Sequence, residues 1–227
     1  MGAMALEHKT NNSLQHALIR VSDLVLASLL LLLLSPLLLT VMLLIHWRIG
    51  SPIFFRQLRA GKGNQPFYII KFRSMLNTEG ADGQPLPDEE RLTPLGRFLR
   101  KSSIDELPEL INVLRGEMSL VGPRPLFLKY LPYYKPRERS RLDVLPGITG
   151  LAQVSGRNYI SWDKKLELDA KYVERLSLGL YFKILILTPL TMLDWHKVAV
   201  NPYTAEIPLD IARADIVNQY TESNHKP

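Results

Sequence analysis

The chain has 227 residues, a formal net charge of +6 and no cysteine. The missing cysteines exclude disulfides, thiolate metal sites and cysteine nucleophiles, and they fit a reducing compartment. The positive balance suits anionic lipid headgroups or phosphorylated substrates, while the lack of a dense Lys/Arg block or an aromatic-interleaved basic motif argues against nucleic acid.

Residues 1–14 are expected to be a tag-like, disordered lead-in, with the opening MGAMALE resembling a vector remnant. From Val21 to His46 the chain is almost wholly apolar. Such a run is long enough to cross a bilayer core of roughly 30 Å as a helix. Ser35-Pro36 lies at its middle. The proline removes a backbone donor and clashes with the carbonyl of residue 32, so the helix kinks or breaks there. Arg20 precedes the run, and Arg48, Arg56 and Arg59 follow it. Basic flanks prefer the cytoplasmic side, and here both ends qualify. Two readings fit: a proline-kinked spanning helix, or a helix-break-helix that enters and leaves one leaflet. Taken alone, the run favours the span.

Ile53–Phe55 and Pro66–Phe72 are aromatic and β-branched and read as short strands, with a hairpin turn at Gly61-Lys62-Gly63-Asn64. Residues 77–90 are acidic and turn-rich, a solvated surface loop. Leu92 to Lys101 mixes large apolar residues with bases. That pattern suits an amphipathic helix in the membrane interface or an ordinary packed helix. The periodicity of Leu107, Leu110, Ile111 and Leu114 predicts a helix that stops at Gly116. VGPRP at 121–125 and PGITG at 146–150 are rigid turns, and Leu151–Val154 reads as a strand. Trp162 to Leu176 is a charged helix. Leu178–Leu187 is too short to span a membrane and is a core or interfacial helix. Residues 201–227 form a polar, weakly packed tail with a few helical turns near 208–218.

Asp105-Glu106 falls just before a proline-initiated helix start. Free N–H groups and the positive dipole end stabilise negative charge there, and plain capping would use the same acids. Basic residues surround this pair in sequence. Lys71 and Arg73 follow a strand, Arg124 is locked between Pro123 and Pro125, and Arg157 follows Gly156. Guanidinium groups on rigid turns grip phosphate bidentately, although a surface salt bridge is the plain alternative for each. Asp169 would orient an arginine or pair with Lys165 at i,i+4. A carboxylate pair, turn-held arginines and a membrane anchor point to phosphoryl chemistry on a lipid. Mg2+ would be shared between one carboxylate and substrate phosphate.

PIFFRQ (52–57), KFRSM (71–75), DELPEL (105–110), GEMSLVGPRP (116–125) and PGITGLAQVSGRN (146–158) together resemble the bacterial monotopic phosphoglycosyl transferases, the bacterial sugar transferase family. The likeness runs in order over roughly residues 15–190. It is strongest to the small members that use UDP-linked acetamido sugars such as diacetylbacillosamine, a likeness to which residues 160–165 (ISWDKK) add. The resemblance implies a re-entrant helix broken at Ser35-Pro36, Asp105 as nucleophile and Glu106 as the Mg2+ ligand. It also implies a ping-pong reaction that releases UMP from a UDP-sugar and passes the phospho-sugar to polyprenyl phosphate. Lys71, Arg73, Arg124, Arg157 and Asp169 would serve the substrate phosphates. The expected fold is α-rich α+β, with a re-entrant membrane segment at 15–50, one small catalytic domain at 51–200, interfacial amphipathic helices and a few short strands. It would sit in one leaflet of the bacterial inner membrane, facing the cytoplasm. A membrane-anchored hydrolase of nucleotide-sugar or lipid pyrophosphates, and a non-catalytic lipid-binding scaffold, are the alternatives.

Overall fold

The computed structural model describes residues 2–80, 82–156, 160–193 and 207–215. Helix α1 runs Gly2–Leu33 and takes in the lead-in expected to be disordered. Helix α2, Ser35–Arg48, follows after a break at Leu34, with Pro36 in its first turn. The Ser35 hydroxyl donates to the Leu32 carbonyl at 2.7 Å, so it serves one of the acceptors freed at the break.

Strands β1, Phe54–Ala60, and β2, Pro66–Phe72, pair antiparallel, with Phe54 opposite Phe72 and Phe55 opposite Lys71. Gly63 and Asn64 both adopt positive φ in the connection. Short helix α3, Asp88–Arg91, ends the acidic loop and leads into α4, Pro94–Ser102. The Thr93 hydroxyl caps α4 by accepting from the Gly96 N–H at 2.9 Å. Helix α5, Glu109–Arg115, ends at Gly116 with φ 81°.

Strands β3, Ser119–Val121, and β4, Gly147–Thr149, pair in parallel. Part of the turn expected at 146–150 is therefore a strand. A Cβ on Gly147 would lie 2.0 Å from the Gly122 nitrogen, so this approach is open only to glycine. Leu151–Gly156 is helix α6, which corrects the strand expected over 151–154. The chain has just left β4, and the Val154 N–H closes a helical bond on the Gly150 carbonyl at 3.1 Å. Tertiary position overrides the weak strand pattern there. Helix α7, Trp162–Glu174, α8, Leu178–Leu193, and the short α9, Leu209–Ala212, complete the described elements.

Three apolar clusters hold these pieces together. Ile19 and Ala27 of α1 pack with Leu110, Val113, Met118, Leu120, Tyr181 and Ile184. Val41, Ile45 and Ile49 at the far end of the α1–α2 unit pack with Phe72 and Leu99. Tyr130, Tyr134, Leu166 and Leu209 form the third. Polar contacts reinforce the first: buried Asp23 accepts from the Ser119 hydroxyl at 3.0 Å, the Leu120 N–H at 2.8 Å and the Tyr181 hydroxyl at 2.8 Å. Leu209 is fully buried, so this part of the tail docks instead of hanging loosely. Among the described residues, Leu14–Leu33 is the one stretch long and apolar enough to cross a membrane.

Candidate active site

Ser103 ends α4 in a left-handed conformation, φ 56°, and turns the chain into a single 3-10 turn, Ile104–Glu106. Pro108 then caps α5, which begins at Glu109, beside the start that the proline suggests. The turn points Asp105 and Glu106 toward β2 and the Pro123–Pro125 segment.

Glu106 is gripped from two sides. Its Oε1 accepts from Lys71 Nζ at 2.6 Å and from an Arg124 Nη2 at 2.7 Å. Burial alone would raise its pKa, but the charges of Arg124 and Lys71 outweigh burial and hold the carboxyl well below the usual carboxylate range. Asp105 is 8% exposed and accepts no hydrogen bond among the described residues. Burial, with the Glu106 charge adding to it, lifts its pKa from 3.8 to about 6, against the opposing charges of Lys71, Arg100 and Arg124. The helix start therefore does not dominate Asp105, contrary to the expectation drawn from the dipole. Its reach falls off within the first turn, and α5 is only seven residues long.

The sequence missed Glu109, Arg100 and Arg141. Glu109 Oε1 lies 3.1 Å from Lys71 Nζ, at an angle that forms no hydrogen bond, and the side chain is 2% exposed. Burial pushes its pKa up to about 7 although Lys71 pulls the other way. Glu109 follows Leu107-Pro108 in an ordinary helix start, so nothing in the sequence marks it. Arg100 donates from Nε to the Ser74 hydroxyl at 2.9 Å, and its buried Nη1 has no partner. Its position five residues before Asp105 is the only sequence signal. Arg141, in the 3-10 stretch Pro136–Leu142, donates to the Arg124 carbonyl at 2.5 Å, the Tyr134 hydroxyl at 2.9 Å and Asp169 at 3.1 Å. Long-range partners give it no local sequence signature.

Of the expected site residues, Lys71, Asp105, Glu106 and Arg124 come together. Arg73 does not: it is buried and donates to the Ser51 carbonyl at 2.6 Å and to the Ile49 carbonyl. These bonds tie the exit of α2 to β2. Asp169 is likewise buried against Arg141, not open to a substrate. Burial raises its pKa to about 6 with Arg141 opposing. It does orient an arginine, but that arginine is Arg141. Arg157 lies outside the described residues. A shallow cleft beside Arg124, lined by Gly61, Pro123, Arg141 and Pro146, opens next to the cluster.

This arrangement offers a desolvated carboxylate that accepts no hydrogen bond among the described residues, a second carboxylate held ionised, and a half-exposed arginine. It is suited to attack on a phosphorus centre. Residues 14–195 match the family described as Bacterial sugar transferase. The chain is 52% identical over 188 residues to the uncharacterized sugar transferase EpsL of Bacillus subtilis, covering 82% of this chain and 93% of that protein. It is 42% identical over 179 residues to a UDP-glucose:undecaprenyl-phosphate glucose-1-phosphate transferase of Caulobacter vibrioides, covering 74% of this chain and 67% of that one. A Klebsiella pneumoniae protein of the same name is 38% identical over 74% of this chain, which spans only 38% of the relative's length. A family match over most of the length, and relatives of this identity, place the chain in the bacterial sugar transferase family.

Proposed function

We propose that this chain moves a sugar 1-phosphate from a UDP-sugar to undecaprenyl phosphate and releases UMP. The observation that carries the reading is the Glu106 carboxylate clamped by Lys71 and Arg124 directly beside the buried Asp105, which accepts no hydrogen bond among the described residues. The names of several relatives state the same kind of reaction with UDP-glucose as donor.

In the first step an Asp105 carboxylate oxygen attacks the sugar-linked phosphorus. The new O–P bond forms as the bond to UMP breaks. In the second, an oxygen of the lipid phosphate attacks the same phosphorus, and the Asp105 carboxylate leaves. Ping-pong order follows from this division into two displacements. Lys71 and Arg124 hold Glu106 ionised, and the exposed side of Arg124 binds the donor's diphosphate.

Mg2+ fits the donor set. Among the described residues no group of three acidic or histidine side chains is placed to hold a metal ion by itself, so the ion would share its ligands with substrate phosphate, as Mg2+ commonly does. Both cations use Oε1 of Glu106, which leaves the other oxygen available. Glu106 would hold the ion, and the bound ion would neutralise charge on the phosphates.

The membrane segment is proposed to be re-entrant. Arg20 near its start donates to the Leu114 and Met118 carbonyls, each at 3.4 Å. Ile49 and Ser51 at its end accept from Arg73. Both ends thus dock on one body, whereas a straight helix from Arg20 to Arg48 would be about 42 Å long. Leu32 and Leu33 at the break, and Leu43 further along α2, are more than 70% exposed and suit lipid. Amphipathic α4, with Phe98 exposed and Leu99 buried, lies at the interface in this reading. The site would face the cytoplasm of a bacterial inner membrane.

The donor sugar is proposed to be an acetamido sugar, diacetylbacillosamine included, from the likeness to the small members of the family, to which residues 160–165 add. A panel of UDP-acetamido sugars, UDP-glucose and UDP-galactose, read as UMP release, tests it. Sustained release over many turnovers that needs both polyprenyl phosphate and Mg2+ supports the transferase. Inorganic phosphate or free sugar phosphate as product would show a hydrolase instead.

A further inference from the structure

The family match ends at residue 195, yet Arg213 beyond it is 7% exposed and wholly engaged. Its Nη1 donates to the Glu138 carboxylate at 2.6 Å and to the Tyr133 carbonyl at 3.0 Å. Its Nη2 donates to Glu138 at 2.8 Å and to Asp163. This fork grips a carboxylate that is itself buried and also accepts from the Lys135 N–H at 2.8 Å. Without the guanidinium, Glu138 would be a buried charge with one backbone donor.

Glu138 stands one turn before Arg141 in the 3-10 stretch Pro136–Leu142. Such a stretch has poor hydrogen-bond geometry, so side-chain contacts decide its position. Arg141 donates to the Arg124 carbonyl. A second route starts from Leu209, which is fully buried in one cluster with Tyr134, and the Tyr134 hydroxyl accepts from Arg141. Both routes from the tail therefore end on Arg141, and Arg141 sets the backbone that presents Arg124 to Glu106 and to the cleft.

We propose that segment 207–215, through Arg213 and Leu209, positions Arg124 for the diphosphate of the donor nucleotide. Arg213 is a positioning residue: it acts through Glu138 and Arg141 and touches no substrate. The inference rests on the donor assignment above, but its test does not need turnover.

The test measures UDP affinity of the full-length chain in the presence of Mg2+, by calorimetric titration. Arg213→Met is expected to weaken UDP binding about tenfold, while in an Arg124→Met background it adds no further loss. Arg213→Lys, which keeps the charge without the fork, is expected to fall between, and serves if Arg213→Met does not fold. Unchanged UDP affinity in these variants overturns the proposal. So does an equal loss with and without Arg124, since that marks general destabilisation. A native chain that binds UDP but releases no UMP with any sugar refutes the transferase reading and leaves the clamp judged by UDP binding. A native chain that does not bind UDP overturns both.

Discussion

Asp105 and Glu106 are adjacent and share one environment, yet their carboxyl pKa values move in opposite directions. Two cations reach Glu106, and among the described residues none hydrogen-bonds Asp105. In the proposed mechanism the Asp105 carboxylate is the active form, so kcat/KM is expected to fall as pH drops through about 6. A stability effect accompanies this. Because the folded pKa lies above the ordinary 3.8, the fold favours the protonated acid, and ionising it costs stability as pH rises from 3.8 to about 6. Asp105→Asn does not titrate. It is expected to lower transfer by about 10³-fold or more and to melt about 2–4 °C above the native chain at pH 8. Melting curves should show that gap opening between pH 4 and 6 and constant above. A native-like rate in Asp105→Asn would remove it as nucleophile.

At the level of elements, α4 positions the dyad because it can lie directly on the exit of β2. A Cβ on Gly96 would sit 1.8 Å from the Ser74 carbonyl oxygen, which is rigid backbone. Ser74 also receives Arg100. Gly96→Ala must push α4 away, moving Arg100 and the Ser103 turn with it. It is expected to destabilise the chain by about 2–4 kcal/mol and to lower the transfer rate, as read by thermal melting and UMP release. Gly179→Ala in α8 meets nothing within 4 Å and is the matched control, expected to be neutral or slightly stabilising. The elements also show what the sequence could reveal. The β1–β2 hairpin and α7 were legible because turn residues and periodicity are local signals. The parallel pairing of β3 with β4 was not, since it depends on glycine contacts between segments more than twenty residues apart. The site divides in the same way. Lys71, Asp105, Glu106 and Arg124 stood out beside prolines and strand ends, whereas Arg141 and Arg213 gain their roles only from distant partners.

On the scale of the whole molecule, the question is how one body holds both ends of an apolar segment. Val41, Ile45 and Ile49 pack against Phe72 and Leu99, while Ile19 and Ala27 pack against α5 and α8. The same domain therefore receives the segment where it starts and where it ends. A spanning helix would have to place one of these contacts across roughly 30 Å of hydrocarbon, out of the domain's reach. The chain has no cysteine, so single replacements report cleanly. His16→Cys and Ser51→Cys, both exposed positions flanking the segment, are expected to react with a membrane-impermeant maleimide from the same face of sealed vesicles. Leu33→Cys, beside the break at Leu34, is expected to be protected from both faces, because in the proposed re-entrant arrangement the tip stops within the bilayer. Labelling of His16→Cys and Ser51→Cys from opposite faces would make the segment a span. It would also separate the packing of Ile19 from that of Ile45 by the width of the membrane, and so overturn the proposed re-entrant arrangement.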